Sequence, residues 1–359
     1  MTQPSSAGSV SERKIAFGTL FVSLALAAFV FGRGATRGAL HLDAAGEQQS
    51  SLSLVPPGAA FVLTANVKEI RSSPIASALL SRVSRVGGDL NRICGFDPLS
   101  HATEVALSAV AGSDVANAAP QDFAIIAAGD FSAADFERCA VLVIQARGGD
   151  PVSSRLGSFH SVRDRKVEGG EIAVRDGGPL IVSGGSYFRA VLDEAEGHGA
   201  RRPEHDPRDT AHAALRRTLG PGQVLATWLL PEHWVQQLTG EDNERLSPLQ
   251  GLKVIGARLD LTREARLNAL LECVDAEHAK QIAGLFDELR GSLLTLEDSP
   301  AVTAALSHVQ LVNEGSRLRL SVSLTGPELD ALLLELGGPP DQVTVVGAPS
   351  AAPPAPPSP

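Results

Sequence analysis

Cysteine, lysine and aromatic side chains are all scarce in this chain. Three cysteines occur in 359 residues and none stands in a CxxC pair, the spacing that a redox dithiol or a zinc site uses. Cys139 falls within a helical pattern and Cys273 on the apolar side of a strand pattern, which is how free cysteine serves as a small buried apolar residue. The cysteines therefore leave the redox compartment open. Aromatic residues make up 4% of the chain and lysine gives way to arginine, a bias expected of a GC-rich coding sequence rather than of a function. No serine lies in GxSxG, so the nucleophile elbow of a hydrolase is missing. The glycines of "GGDP", "GGEIAVRDGG" and "GGSYF" lack the spacing and the strand-to-helix context of a phosphate loop. The net charge of −10 is spread without a long run of either sign, whereas phosphate-backbone binding needs clustered Lys and Arg. No nucleic-acid partner and no cofactor are expected.

What is present begins with an uncharged run, "KIAFGTLFVSLALAAFVFGRG", in which residues 15–32 carry no charge. As a helix this run is about 27 Å long, close to the roughly 30 Å hydrocarbon core of a bilayer. A cleaved signal peptide is the competing reading, with Arg13 and Lys14 as its basic end. The run is long for a signal core, though, and "FGRGATRGAL" behind it offers no small-x-small site. An uncleaved single-pass anchor is expected. Arg13 and Lys14 before the run are matched by Arg33 and Arg37 after it, so the positive-inside rule does not choose an orientation. A short N-terminal tail before a large domain suits a cytoplasmic tail at residues 1–14 and a periplasmic body, in an inner-membrane protein whose partner is an envelope protein or a lipid.

Residues 33–53 read as a small, polar linker, and Pro56-Pro57-Gly58 as a turn leading into a strand from Ala59 to Val67. At the other end, residues 338–359 hold too much Pro and Gly to pack and read as a disordered, partly polyproline tail.

Between these limits the order of elements repeats. "FAIIAAGDFSAADFERCAVLVIQ" and "NALLECVDAEHAKQIAGLFDELR" each read as strand, cap and helix, with Ser132 and Asp275 as the expected N-caps. "LIVSGGSYFRAVLDE" matches "LSVSLTGPELDALLLE", and "AAFVLTANVKEIRSSPIASALL" matches "QVLATWLLPEHWVQQL". Strand patterns alternate: Ile255, Ala257, Leu259 and Leu261 share one side, answered by Ala265, Leu267, Ala269, Leu271 and Cys273 across the turn "TRE". Leu318, Leu320, Val322 and Leu324 alternate with Arg317, Arg319, Ser321 and Ser323. Such alternation belongs to antiparallel sheets with one covered face. A helix stripe of Ile282, Leu285, Phe286, Leu289 and Leu293 is placed to cover it. The expected fold is α+β: an N-terminal transmembrane helix, then two related lobes of antiparallel sheet backed by helices, over residues 54–200 and 221–337.

The stretch "SLVPPGAAFVLTANVKEIRSSPIASALL", followed later by "GGEIAVRDGGPLIVSGGSYFRAVLDEA", resembles uncharacterised bacterial membrane-anchored extracytoplasmic proteins over roughly residues 52–336. The resemblance implies a location and a fold. It carries no catalytic residues.

Two groups remain as candidate sites. "GHGARRPEHDPRDTAHAALRR" gathers His198, His205, Asp206 and His212 as metal or acid–base candidates. A zinc site needs its ligands to converge, but the three histidines are seven apart, Pro203 and Pro207 break a continuous helix, and Arg201, Arg202 and Arg208 oppose a dication. Asp209 reads instead as the N-cap of a helix through "TAHAALRRTL". Trp228 and Trp234 flank "LLPEH" and are the candidates for lining a ligand groove, against packing where a strand turns into a helix. The sequence favours a membrane-tethered extracytoplasmic binding or scaffolding module over an enzyme. The alternative is an envelope hydrolase or metalloenzyme using His205, Asp206 and His212.

Overall fold

A computed structural model describes residues 50–76, 91–110, 122–166, 170–198, 207–232, 235–236, 244–294 and 300–337. The expected anchor at 15–32 and the tail at 338–359 lie outside the described residues. Among those described, no helix is long and apolar enough to cross a membrane.

The folded part starts earlier than the linker reading placed it. Ser51–Leu54 form a 3-10 turn in which Ser51 and Leu54 are buried. Strand β1 (Phe61–Asn66) runs straight into helix α1 (Val67–Ser72), whose N-cap Asn66 accepts from Glu69 N–H through its side chain. Then come β2 (Ala102–Ala109), β3 (Phe123–Gly129), α2 (Ala133–Ala146), β4 (Pro151–Leu156), β5 (Phe159–Asp164), β6 (Glu171–Val174), β7 (Leu180–Gly184), α3 (Ser186–Ala195) and α4 (Pro207–Leu219). The second half holds β8 (Val224–Leu229), β9 (Leu252–Leu261), β10 (Ala265–Cys273), α5 (Ala276–Leu294), α6 (Pro300–Ser307), β11 (Gln310–Glu314), β12 (Arg317–Leu324) and α7 (Gly326–Gly337). The fold is α+β with one large antiparallel sheet.

The twelve strands of the described residues join that sheet, in the order β11-β12-β10-β9-β8-β1-β2-β3-β7-β6-β5-β4. Outward from the centre, β1-β2-β3-β7-β6 on one side is answered by β8-β9-β10-β12-β11 on the other, and β5 and β4 extend the first side. The repeated element order predicts two related lobes. β1 and β8 pair directly, Leu63 opposite Ala226 and Ala65 opposite Val224, so the two halves of the strand order share one sheet. Ser132 and Asp275 cap α2 and α5 as expected: Ser132 Oγ accepts from Asp135 N–H and Asp275 Oδ1 from His278 N–H. The registers of β9 with β10, and of β10 with β12, match the alternation read from the sequence, with Ala257 opposite Ala269 and Ala269 opposite Leu320.

Both faces of the sheet carry helices. On one, α3 packs over Ile126, Ile181 and Phe159, while α4 lies over β8 and β9. On the other, α2 covers Val105 and Ala127, α5 covers Ala269, Leu271 and Leu318, and α7 meets Leu261 and Leu324. Leu63, Ile126, Phe159, Ile181, Ile282 and Leu318 are fully buried, each worth about 1.5–3 kcal/mol against exposure. One close approach depends on a missing side chain. A Cβ on Gly256 of β9 would lie 2.9 Å from both Leu215 Cγ and Leu219 Cδ1 of α4, so glycine there makes the trough in which α4 sits. The α5 stripe is only half used. Ala279 and Ile282 are buried, but Leu289 and Leu293 are each 38% exposed.

Two of the cysteines are not free. Cys94, in a helical turn at 91–94, forms a disulfide with Cys139 of α2, at a Cα separation of 4.6 Å. This corrects the reading of Cys139 as a lone apolar filler. The partners are 45 residues apart, and pairing at that range depends on a tertiary contact that spacing rules do not encode. Cys273 is the free, buried cysteine, and burial, aided by Asp275, pushes its thiol up.

Candidate functional site

The histidine-rich segment does not converge. His198 lies at the surface, 3.6 Å from Glu196 Oε2. His205 and Asp206 fall outside the described residues. His212 is buried on the inner side of α4, with Nδ1 2.7 Å from Thr227 Oγ1 and Nε2 3.0 Å from Ala59 O. A carbonyl only accepts, so Nε2 carries a proton and donates to Ala59 O, while Nδ1 meets the Thr227 hydroxyl, which also lies 3.3 Å from Val62 O. Both ring nitrogens are thus spent inside the fold, and His212 serves packing. Asp209 is not the N-cap: α4 begins at Pro207, which places Asp209 inside the first turn. Proline suits that first helical position because it has no N–H to leave unpaired. Among the described residues, no group of three His, Cys, Asp or Glu side chains is arranged to hold a metal.

Trp228 on β8 sits opposite Phe61 on β1, ring edge to face at 6.3 Å and 85°. Its large ring is committed to the central strand pair. Trp234 lies outside the described residues.

A polar cleft of about 350 Å³ does occur, where β1 ends and β2 and β8 begin. Thr64, Asn66, Lys68, Thr103, Glu104 and Gln223 line it. The topology explains the gathering: β1 is flanked by β2 from its own half and β8 from the other, so residues more than a hundred positions apart meet at the seam. Gln223 is engaged at both ends of its amide, its Oε1 accepting from Leu261 N–H at 2.7 Å and its Nε2 donating to Glu69 O at 3.5 Å. Thr103 donates to Ala128 O at 3.0 Å. Arg216 of α4 donates through Nη1 to Thr64 Oγ1 at 2.9 Å; burial pushes its guanidinium down and the nearby Glu104 carboxylate pulls it back up. Among the described residues, Glu104 accepts from the Ser50 hydroxyl, 3.2 Å from each carboxylate oxygen. None of Glu104, Lys68 and Arg216 appears in an ion pair among the described residues.

The strand patterns predicted Thr64 and Asn66 as parts of a strand end and gave no reason to single out Glu104 or Lys68. Nothing in local spacing marks them. Only the β2-β1-β8 adjacency does.

A second polar cluster ties β4, β5 and α2. Arg155 Nη2 donates to His160 Nε2 at 2.7 Å, and His160 Nδ1 donates to Glu137 Oε2 at 2.7 Å. The Glu137 carboxyl is held below its ordinary range, mainly by the His160 hydrogen bond and then by Ser153. Since arginine only donates, the arrangement requires an unprotonated Nε2.

No family model matches the chain, and no curated protein matches it. Among solved structures it is similar to TP0453 in two crystal forms. Form III has 13% sequence identity and a TM-score of 0.45, covering 80% of this chain and 99% of that one. Form I has 14% identity and a TM-score of 0.45, covering 80% of this chain and 97% of that one.

Proposed function

We propose that the protein is a membrane-tethered extracytoplasmic binding or scaffolding module of the bacterial cell envelope, held in the inner membrane by residues 15–32 with its folded body in the periplasm. The observation that carries this reading is the Cys94–Cys139 disulfide. Disulfides form and persist in oxidising compartments and are rare where thiols are kept reduced. The uncharged run at 15–32 supplies the tether, since its length as a helix suits a bilayer. Support for binding rather than catalysis comes from the cleft, which offers hydrogen-bonding groups and both signs of charge but no nucleophile paired to a base. The matched strand orders on either side of β1 and β8 support a duplicated origin, with two related halves placing the cleft at their junction. What the module holds in place is an envelope protein or a lipid.

Fractionation tests this reading. The full-length chain is expected to sediment with membranes, to stay there through carbonate extraction, and to be digested by protease added to spheroplasts. A soluble form beginning near residues 35–45, or protection of the body in intact spheroplasts, would overturn it.

A further inference from the structure

The two edges of the sheet are built differently. At one end β4 opens with Pro151, carries Arg155 and lies against α2, devices of the kind that keep a sheet edge from pairing further. At the other end β11 reads QLVNE, with no Pro, Lys or Arg, and no described strand lies on its outer side. Its counterpart in the first half, β6, has that side paired with β5. The single charge of β11, Glu314, stands at the strand's end beside Arg319 at 2.8 Å.

The register shows which groups this edge offers. Ser316 O accepts from Cys273 N–H at 2.9 Å, so the next residue of β12, Arg317, turns its backbone groups the other way, to Glu314 of β11. Counting back from Glu314, the N–H and C=O of Val312 face β12, and those of Leu311 and Asn313 face outward. Leu311 packs on the α5 side of the sheet. Val312 therefore points to the opposite face, where it is 52% exposed. Beside the start of the strand, Arg290 of α5 donates to Val309 O at 3.4 Å, and the neighbouring Leu289 is half-exposed.

A strand that completes this edge must offer free backbone groups at the same alternation, an apolar residue at its middle, and no negative charge opposite Glu314. β11 meets all three conditions itself when it is turned about a two-fold axis at Val312. Each Val312 then faces its own copy as a pair without hydrogen bonds between them. Leu311 stands opposite Asn313 of the other copy and exchanges both backbone hydrogen bonds with it, and Glu314 meets the neutral Gln310. A parallel pairing in register would instead set the two Glu314 carboxylates side by side. We propose that the protein forms a two-fold dimer through β11, which joins two twelve-stranded sheets into one. The pairing concerns the folded body and does not depend on a membrane tether.

The test uses the full-length protein in detergent. Analytical ultracentrifugation is expected to show a dimer, with a dissociation constant that rises on the order of tenfold or more in Val312→Lys, where two like charges would face each other. Cysteine substitution under mild oxidation reads the register. In the proposed pair the two residues at position 312 have Cα atoms about 4.5 Å apart, within disulfide reach, whereas the two at position 310 are about 13 Å apart along the strands. Val312→Cys is therefore expected to cross-link and Gln310→Cys is not. Both positions are exposed, so the variants leave the core intact. A monomer overturns the proposal, and if its Leu311 and Asn313 amides resist hydrogen exchange, a different strand occupies the edge. Equal cross-linking by the two cysteine variants, or an unchanged dissociation constant in Val312→Lys, also overturns it, as a dimer held through residues 15–32 alone would give. None of these results bears on membrane sedimentation or protease access, so a failed dimer is distinguishable from a failed location.

Discussion

His212 Nε2 lies 3.0 Å from the carbonyl oxygen of Ala59, a residue 153 positions earlier in the chain. That contact, with Thr227 at the other ring nitrogen, pins α4 to the turn that precedes β1. Replacing His212 by Ala is expected to cost about 2–3 kcal/mol, since it opens a buried cavity and takes the donor from the Ala59 carbonyl. The exposed His198→Ala should stay within about 0.5 kcal/mol. Asp209→Ala falls between, at roughly 0.3–1 kcal/mol, because Asp209 meets the helix N-terminus as a charge and not as a cap. Urea unfolding with and without chelator checks the order, and the chelator is expected to change none of the three values.

Gly256→Ala should destabilise by about 1–3 kcal/mol, the usual cost of an overpacked core. The added Cβ meets Leu215 and Leu219 at 2.9 Å, so α4 must lift from β9. Pairing the change with Leu215→Ala is expected to cost less than the sum of the two single variants, as it does for residues in contact. A full additive cost would show that the two positions do not touch.

The strands were legible because their burial alternates. Leu318, Leu320 and Leu324 are buried while Arg317 and Arg319 point out, and a period of two states that directly. The caps Ser132 and Asp275 were legible for a similar reason: each stands just before an apolar helical repeat. Residues whose role depends on partners far along the chain were not. His212 and Asp209 sit in a polar-looking segment, and only the packing of α4 against β8 separates the buried imidazole from the half-buried carboxylate. Cys94 and Cys139 carry no spacing signal, and Glu104 and Gln223 line one cleft only because β1 takes neighbours from both halves.

The cluster on α2, β4 and β5 predicts a pH dependence. The folded-state pKa of Glu137 lies below its ordinary value, so its contribution is present above the usual glutamate range and is lost as the pH falls through the lowered value. Glu137→Gln should therefore lower neutral-pH stability slightly and leave acid stability unchanged, which flattens the acid limb by the same amount; the effect is small because the pair is partly solvent-exposed. Urea midpoints collected across the acid range provide the comparison. Parallel acid limbs for the two proteins would contradict the assignment.

Placement of the body in an oxidising compartment is tested most directly by trapping thiols in living cells. Cells expressing the full-length chain are quenched with acid, denatured, and treated with a maleimide carrying a mass tag, with and without prior reduction. The chain has three cysteines, of which Cys94 and Cys139 are paired and Cys273 is free. One tag is expected before reduction and three after, with the single tag lost in Cys273→Ser. Three tags without reduction would contradict the account.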